Sequence, residues 1–95
     1  MDFKLTPAAL DDFRAIGEYT LARWNEVQCD KYLDQLDSRF YWLAENPKLG
    51  YCRDEIKPGY YSYPEGSHVI YYRIQPDFIE IIAILHGHMD PKRHI

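Results

Sequence analysis

The chain opens with a strand-like alternation and then changes period twice. Phe3 and Leu5 alternate with Asp2 and Lys4, which predicts a short first strand ending before Thr6-Pro7. Thr6 is a good helix N-cap, Pro7 suits the first helical position where no amide donor is needed, and Asp11 and Asp12 favour the positive end of a helix. From there Leu10, Phe13, Ile16, Gly17, Thr20, Leu21 and Trp24 recur at steps of three and four, with Asp12, Glu18 and Arg23 among the outward positions. Asn25 is the natural break. Beyond it Cys29, Leu33, Leu36, Phe40 and Leu43 repeat at helical spacing up to Asn46-Pro47. Two antiparallel helices joined by one or two residues form an αα-hairpin.

Pro47, Gly50, Pro58 and Gly59 punctuate the middle of the chain, and the period then becomes that of strands. Tyr60 to Tyr63 form one strand, Glu65-Gly66 a tight turn, His68 to Ile74 a second strand, and Gln75-Pro76-Asp77 another turn. Ile79 to Leu85 is almost wholly apolar, as a central strand should be. Residues 87–95 read as a tail. The pattern predicts one α+β domain over residues 1–95, ordered β-α-α-β-β-β. Its N-terminal helical hairpin packs on one face of a small antiparallel sheet, the first strand returns to the sheet edge, and the other face is open.

Composition narrows this reading. Ninety-five residues support one hydrophobic core, and 46% apolar with nine tyrosines is too rich for a disordered chain. A net charge of −4 argues against direct DNA binding by this chain, which would need several phosphates neutralised by cations. No basic and apolar leader and no membrane-length apolar run is present, so a soluble cytoplasmic protein with no membrane partner is expected. Two cysteines make no disulfide framework, and Cys29 on an inward helix stripe and Cys52 in a loop read as reduced thiols.

The strong catalytic and phosphate-binding signatures are missing, and no cofactor or metal is expected. His86 and His88 point the same way on a strand and, with Asp90 or His94, raise the question of a metal. Without a further firm ligand, polar residues closing a strand are the better reading. The tyrosines at 60, 61, 63, 71 and 72 cannot all face one side, so some line a surface suited to protein contact.

Three segments carry a family likeness: Leu43-Ala44-Glu45-Asn46-Pro47-Lys48-Leu49-Gly50, Gly66-Ser67-His68-Val69-Ile70-Tyr71-Tyr72-Arg73 and Ile84-Leu85-His86-Gly87-His88-Met89-Asp90-Pro91. With Leu5 to Ala9 and Tyr19 to Trp24, they resemble the ParE branch of the RelE/ParE toxins of bacterial type II toxin–antitoxin systems. The resemblance implies a helical hairpin on an antiparallel sheet, a non-enzymatic toxin, a cognate ParD-like antitoxin whose flexible segment wraps it in a hetero-oligomer, and DNA gyrase as the target. The other branch cleaves mRNA on the ribosome, for which His86 or a tyrosine would serve as the acid–base group and Arg73 as phosphate clamp. A copy that has lost toxicity and only binds antitoxin is a third possibility. For target contact the open face and its C-terminal end offer Arg53, Lys57, Tyr60, His86, Met89, Lys92 and Arg93. For the antitoxin the helices offer Leu21, Trp24, Tyr32, Tyr41 and Trp42, through grooves along the hairpin or an added edge strand.

Overall fold

A computed structural model describes residues 1–95. The elements run β1 (Asp2–Leu5), α1 (Pro7–Arg23), α2 (Glu26–Glu45), a 3-10 turn (Pro47–Leu49), β2 (Tyr51–Cys52), β3 (Tyr60–Glu65), β4 (His68–Ile74), β5 (Phe78–His86) and α3 (Pro91–His94). One five-stranded sheet has the order β1-β5-β4-β3-β2, with both long helices on one face. The α+β class, the helical hairpin and the β3–β5 meander are as the sequence predicts.

Both helix starts follow from local chemistry. The Thr6 hydroxyl accepts from the Ala9 amide at 3.1 Å and Asn25 Oδ1 from the Gln28 amide at 2.8 Å, so each satisfies an amide that the first turn leaves unpaired. The first turn of α1 contains no acid, because Asp11 and Asp12 fall one turn too late to serve the helix end. On α1 the buried positions are Ala9, Ile16 and Gly17, while Leu10, Leu21 and Trp24 are exposed, contrary to the expected stripe. Small residues carry the contact: a Cβ at Gly17 would lie 3.3 Å from a Leu33 methyl, so glycine lets α1 and α2 close up. On α2 the expected stripe holds, with Cys29, Leu36, Phe40 and Leu43 buried.

Four other expectations are corrected. The sheet is mixed, because β1 runs parallel to β5; alternation within a strand fixes which residues face the core but not its direction. Cys52 belongs to the edge strand β2, paired with Tyr61, and two residues are too few to show a period. The tail contains α3, whose Asp90 cap accepts from the Lys92 amide at 3.0 Å. The second sheet face is partly covered, since Ile56 of the loop after β2 and the C-terminal Ile95 pack with Val69 and Ile82 against Tyr71, Ala83 and Leu85.

The apolar run of β5 has a geometric explanation. Tyr71 pairs with Ala83 and the next residue, Tyr72, with Ile81, so Ile82 is an extra residue, a β-bulge. Facing parity flips there. Ile79 and Ile81 before it and Ile84 after it all join the helix-side core, while Ala83 and Leu85 serve the other face.

Beyond Leu5 the strand β1 stops, and α1 completes the edge of β5. The Thr6 amide donates to the Ile81 carbonyl at 3.0 Å, the Thr6 hydroxyl donates to the Ile82 carbonyl at 3.0 Å, and the Ile84 amide donates to Asp12 Oδ2 at 3.0 Å. Asp12, expected to face outward, is half-buried. Burial raises its pKa against the opposing pull of the Ile84 amide. Asp12→Ala should therefore cost about 1–3 kcal/mol by stranding the amide, whereas Asp12→Asn keeps an acceptor without a buried charge and should match or exceed the wild type, as read by urea unfolding.

A candidate partner groove between the first helix and the edge of the sheet

Where α1 passes the unpaired end of β5, the two do not touch along their whole length, and a groove of about 870 Å³ lies between them. One wall is a stripe of α1: Asp12, Ile16, Tyr19 and Arg23 at steps of four, three and four, continued by Trp24. The opposite wall is Ile84, Leu85 and His86 of β5 with Met89 just beyond it. Tyr32 of α2 and the Ser67-His68 corner complete the lining. Eight of the fifteen lining residues are hydrophobic, Asp12, Arg23, His68 and His86 are among the polar ones, and Tyr19 and Trp24 stand 63% and 68% exposed. Large aromatics this exposed are what an interface rather than a core leaves on a surface.

The polar end is a connected cluster. Tyr32 and His68 meet through the phenol oxygen and Nδ1 at 2.6 Å, His68 faces its cross-strand partner His86 with ring centroids 5.5 Å apart, and His86 stacks on His88 at 4.9 Å. Burial lowers the pKa of His68, and the charge on His86 lowers it further. Burial raises that of Tyr32. No three His, Cys, Asp or Glu side chains here are grouped as a metal site would need.

The residues proposed from sequence for two surfaces are distributed differently. Trp24 and Tyr32 of the antitoxin set and His86 and Met89 of the target set share this one groove. Leu21 is exposed on α1 outside the lining. Tyr41 packs edge-on against Phe3 at 4.8 Å, and Trp42 meets Tyr63 in a tilted pair at 5.1 Å with the Arg39 guanidinium 4.7 Å from its ring, so these two belong elsewhere on α2. Tyr60 is only 7% exposed and serves packing, which takes its side chain out of the target set. Arg53 and Lys57 lie on the loop after β2, where Arg53 donates to Ser62 Oγ at 3.2 Å and pairs with Glu55 at 3.2 Å. Lys92 and Arg93 are exposed on α3.

Sequence reasoning missed Asp12, Tyr19, Arg23 and His68 as members of a site. The α1 spacing could have found the first three, because they lie on one stripe; His68 needed the cross-strand register that places it opposite His86.

Residues 3–91 match the family model described as ParE toxin of type II toxin-antitoxin system, parDE. The chain belongs to the ParE toxin family. Among its relatives, a protein named Toxin ParE1 from Mycobacterium tuberculosis (strain ATCC 25618 / H37Rv) is 35% identical over 94 residues, spanning 98% of this chain and 96% of the relative. Toxin ParE1 of Caulobacter vibrioides is 31% identical over 93 residues, with the same two coverages. A solved structure titled as a chromosomal ParDE TA system from P. aeruginosa shares the fold at a TM-score of 0.77 and 19% identity, covering 90% of this chain and 95% of that one. This chain is thus a ParE toxin of a type II toxin–antitoxin system. No helix in it is long and apolar enough to cross a membrane.

Proposed function

We propose that this ParE-family chain is a cytoplasmic, non-enzymatic toxin that binds DNA gyrase and is neutralised by a cognate ParD-like antitoxin whose C-terminal segment lies in the α1–β5 groove. The observation that carries the antitoxin half is the groove itself, a partly hydrophobic channel whose lining includes the exposed Tyr19 and Trp24. An amphipathic segment would fill it with side chains at helical spacing, shielding aromatics otherwise left in water. Family membership supports the gyrase half.

The geometry weighs against the form of the ribonuclease alternative that joins His86 to Arg73. Arg73 pairs with Glu80 at 2.7 Å, while His86 lies opposite His68, five residues away from Arg73 along β4. At about 3.4 Å per residue the proposed clamp and the proposed acid–base group are roughly 17 Å apart, too far to grip one phosphodiester.

A supercoiling assay with purified gyrase, run beside in vitro translation, tests the reading. Loss of supercoiling or accumulation of cleaved DNA while translation continues is the expected result, and the neighbouring antitoxin should reverse it. Arrested translation with cut mRNA and intact supercoiling would move the chain to the nuclease branch.

A further inference from the structure

The Tyr32 hydroxyl has one proton and three polar neighbours. It lies 2.6 Å from His68 Nδ1, 3.2 Å from the Glu65 carbonyl oxygen and 3.1 Å from the Ser67 amide nitrogen. The Ser67 N–H can only donate, so it takes one lone pair of the phenol oxygen. His68 Nδ1 and the Glu65 carbonyl then compete for the single O–H. With the imidazole neutral and its proton on Nε2, Nδ1 accepts, and the shorter distance favours that bond. A protonated Nδ1 must donate instead; the phenol oxygen is its bonded neighbour, and the hydroxyl proton is free to turn to the Glu65 carbonyl.

We infer that the Tyr32 hydroxyl is a proton-directed switch that ties the charge on His68 to the hydrogen bonding of the Glu65–Ser67 turn, and so to the part of the groove lining formed by Tyr32, Ser67 and His68. The Ser67 amide donates to the phenol oxygen in both states, and the two differ in whether the hydroxyl proton goes to His68 Nδ1 or to the Glu65 carbonyl. The turn is mechanically coupled to the ring as well. Gly66 has φ +58, and a Cβ there would sit 2.5 Å from Tyr32 Cε1, so the phenol rests directly on the turn.

The charged and titratable surroundings of His68 are few. From α2 it meets Tyr32 and from β5 His86, on which His88 of the following turn stacks. The Glu65 carboxylate of β3 is held by Arg39 of α2 at 2.7 Å, and from α1 the groove receives Arg23 and an Asp12 already engaged by the Ile84 amide. Because the folded state depresses the pKa of His68, the unfolded chain takes up the proton first as pH falls. Stability from this site is complete above about pH 6.5, the unperturbed value, and is lost progressively below it.

The effect on antitoxin binding rests on the groove being the antitoxin site, but the switch resides in the free chain. NMR titration of the free protein from pH 8 to pH 5 tests it. The His68 ring carbons, the Ser67 amide and the Glu65 carbonyl carbon should shift with one common midpoint below 6.5. In Tyr32→Phe the Glu65 carbonyl should stop following the ring, and in His68→Phe the turn signals should be flat. A Ser67 amide and Glu65 carbonyl that stay fixed while His68 titrates in the wild type would overturn the switch, as would a Glu65 carbonyl following His68 equally in Tyr32→Phe. An antitoxin that binds elsewhere would leave these free-chain shifts in place, so the two readings fail separately.

Discussion

Replacing Trp24 by alanine is expected to weaken the antitoxin complex by about 30-fold or more, roughly 2 kcal/mol, with little change in the melting temperature of the free chain. The separation of the two readouts follows from position. Trp24 is the C-cap of α1, its side chain is 68% exposed, and its amide donates to the Thr20 carbonyl at 2.9 Å through the backbone, which alanine preserves. Truncation of such a side chain removes little burial in the free state, whereas a covered indole at the rim of a groove is the kind of anchor that dominates an interface. Calorimetric titration with the antitoxin and thermal unfolding of the free variant check both halves. A variant that melts early but binds normally would assign Trp24 to packing.

Phe40→Ala should have the larger effect on the fold, about 3–5 kcal/mol, enough to lower Tm by about 15–30 °C in a domain whose whole stability is about 5–15 kcal/mol. Phe40 is 1% exposed and meets Phe3 of β1 at 5.5 Å and Phe13 of α1 at 6.1 Å, both tilted. It therefore joins α2 to the two elements that flank the edge of β5. Losing it opens a cavity where three elements converge, and backbone relaxation there would have to move β1, α1 or α2 away from other contacts. Thermal unfolding by circular dichroism reads the shift. A loss below about 1 kcal/mol would mean that the corner collapses around the missing ring.

The fold was largely legible because its main signals are local. Thr6 and Asn25 announce helix starts by their side-chain chemistry, and the α2 stripe and the β3–β5 meander announce themselves by period. What escaped the sequence depends on register between distant segments. The direction of β1, the pairing of Tyr51-Cys52 and the inward role of Asp12 are set by partners 9 to 76 residues away, beyond the reach of the local pattern. The groove was half legible for the same reason. Trp24 and Tyr32 stood out as aromatics on the helices and His86 and Met89 as the end of a strand, but only the passage of α1 along β5 puts them on facing walls. Tyr60 illustrates the opposite error, since being a tyrosine beside other tyrosines in a strand does not say which of them the sheet covers.

The bulge at Ile82 also sets how this chain tolerates changes in length. The part of β5 before it is bound to the helix layer through odd-numbered residues and the part after it through an even-numbered one, so the strand is a phase shifter between two halves of one core. Removing a residue at 82 would restore a plain alternation, but it would also carry the Ile84 amide and the carbonyls held by Thr6 out of alignment with α1. A deletion that looks neutral to the sheet would thus unlatch the helix. Length variation in this lineage should accordingly be carried by the loop between β2 and β3 and by the C-terminal residues, while the count from Thr6 to Asp12 and from Phe78 to Ile84 stays fixed.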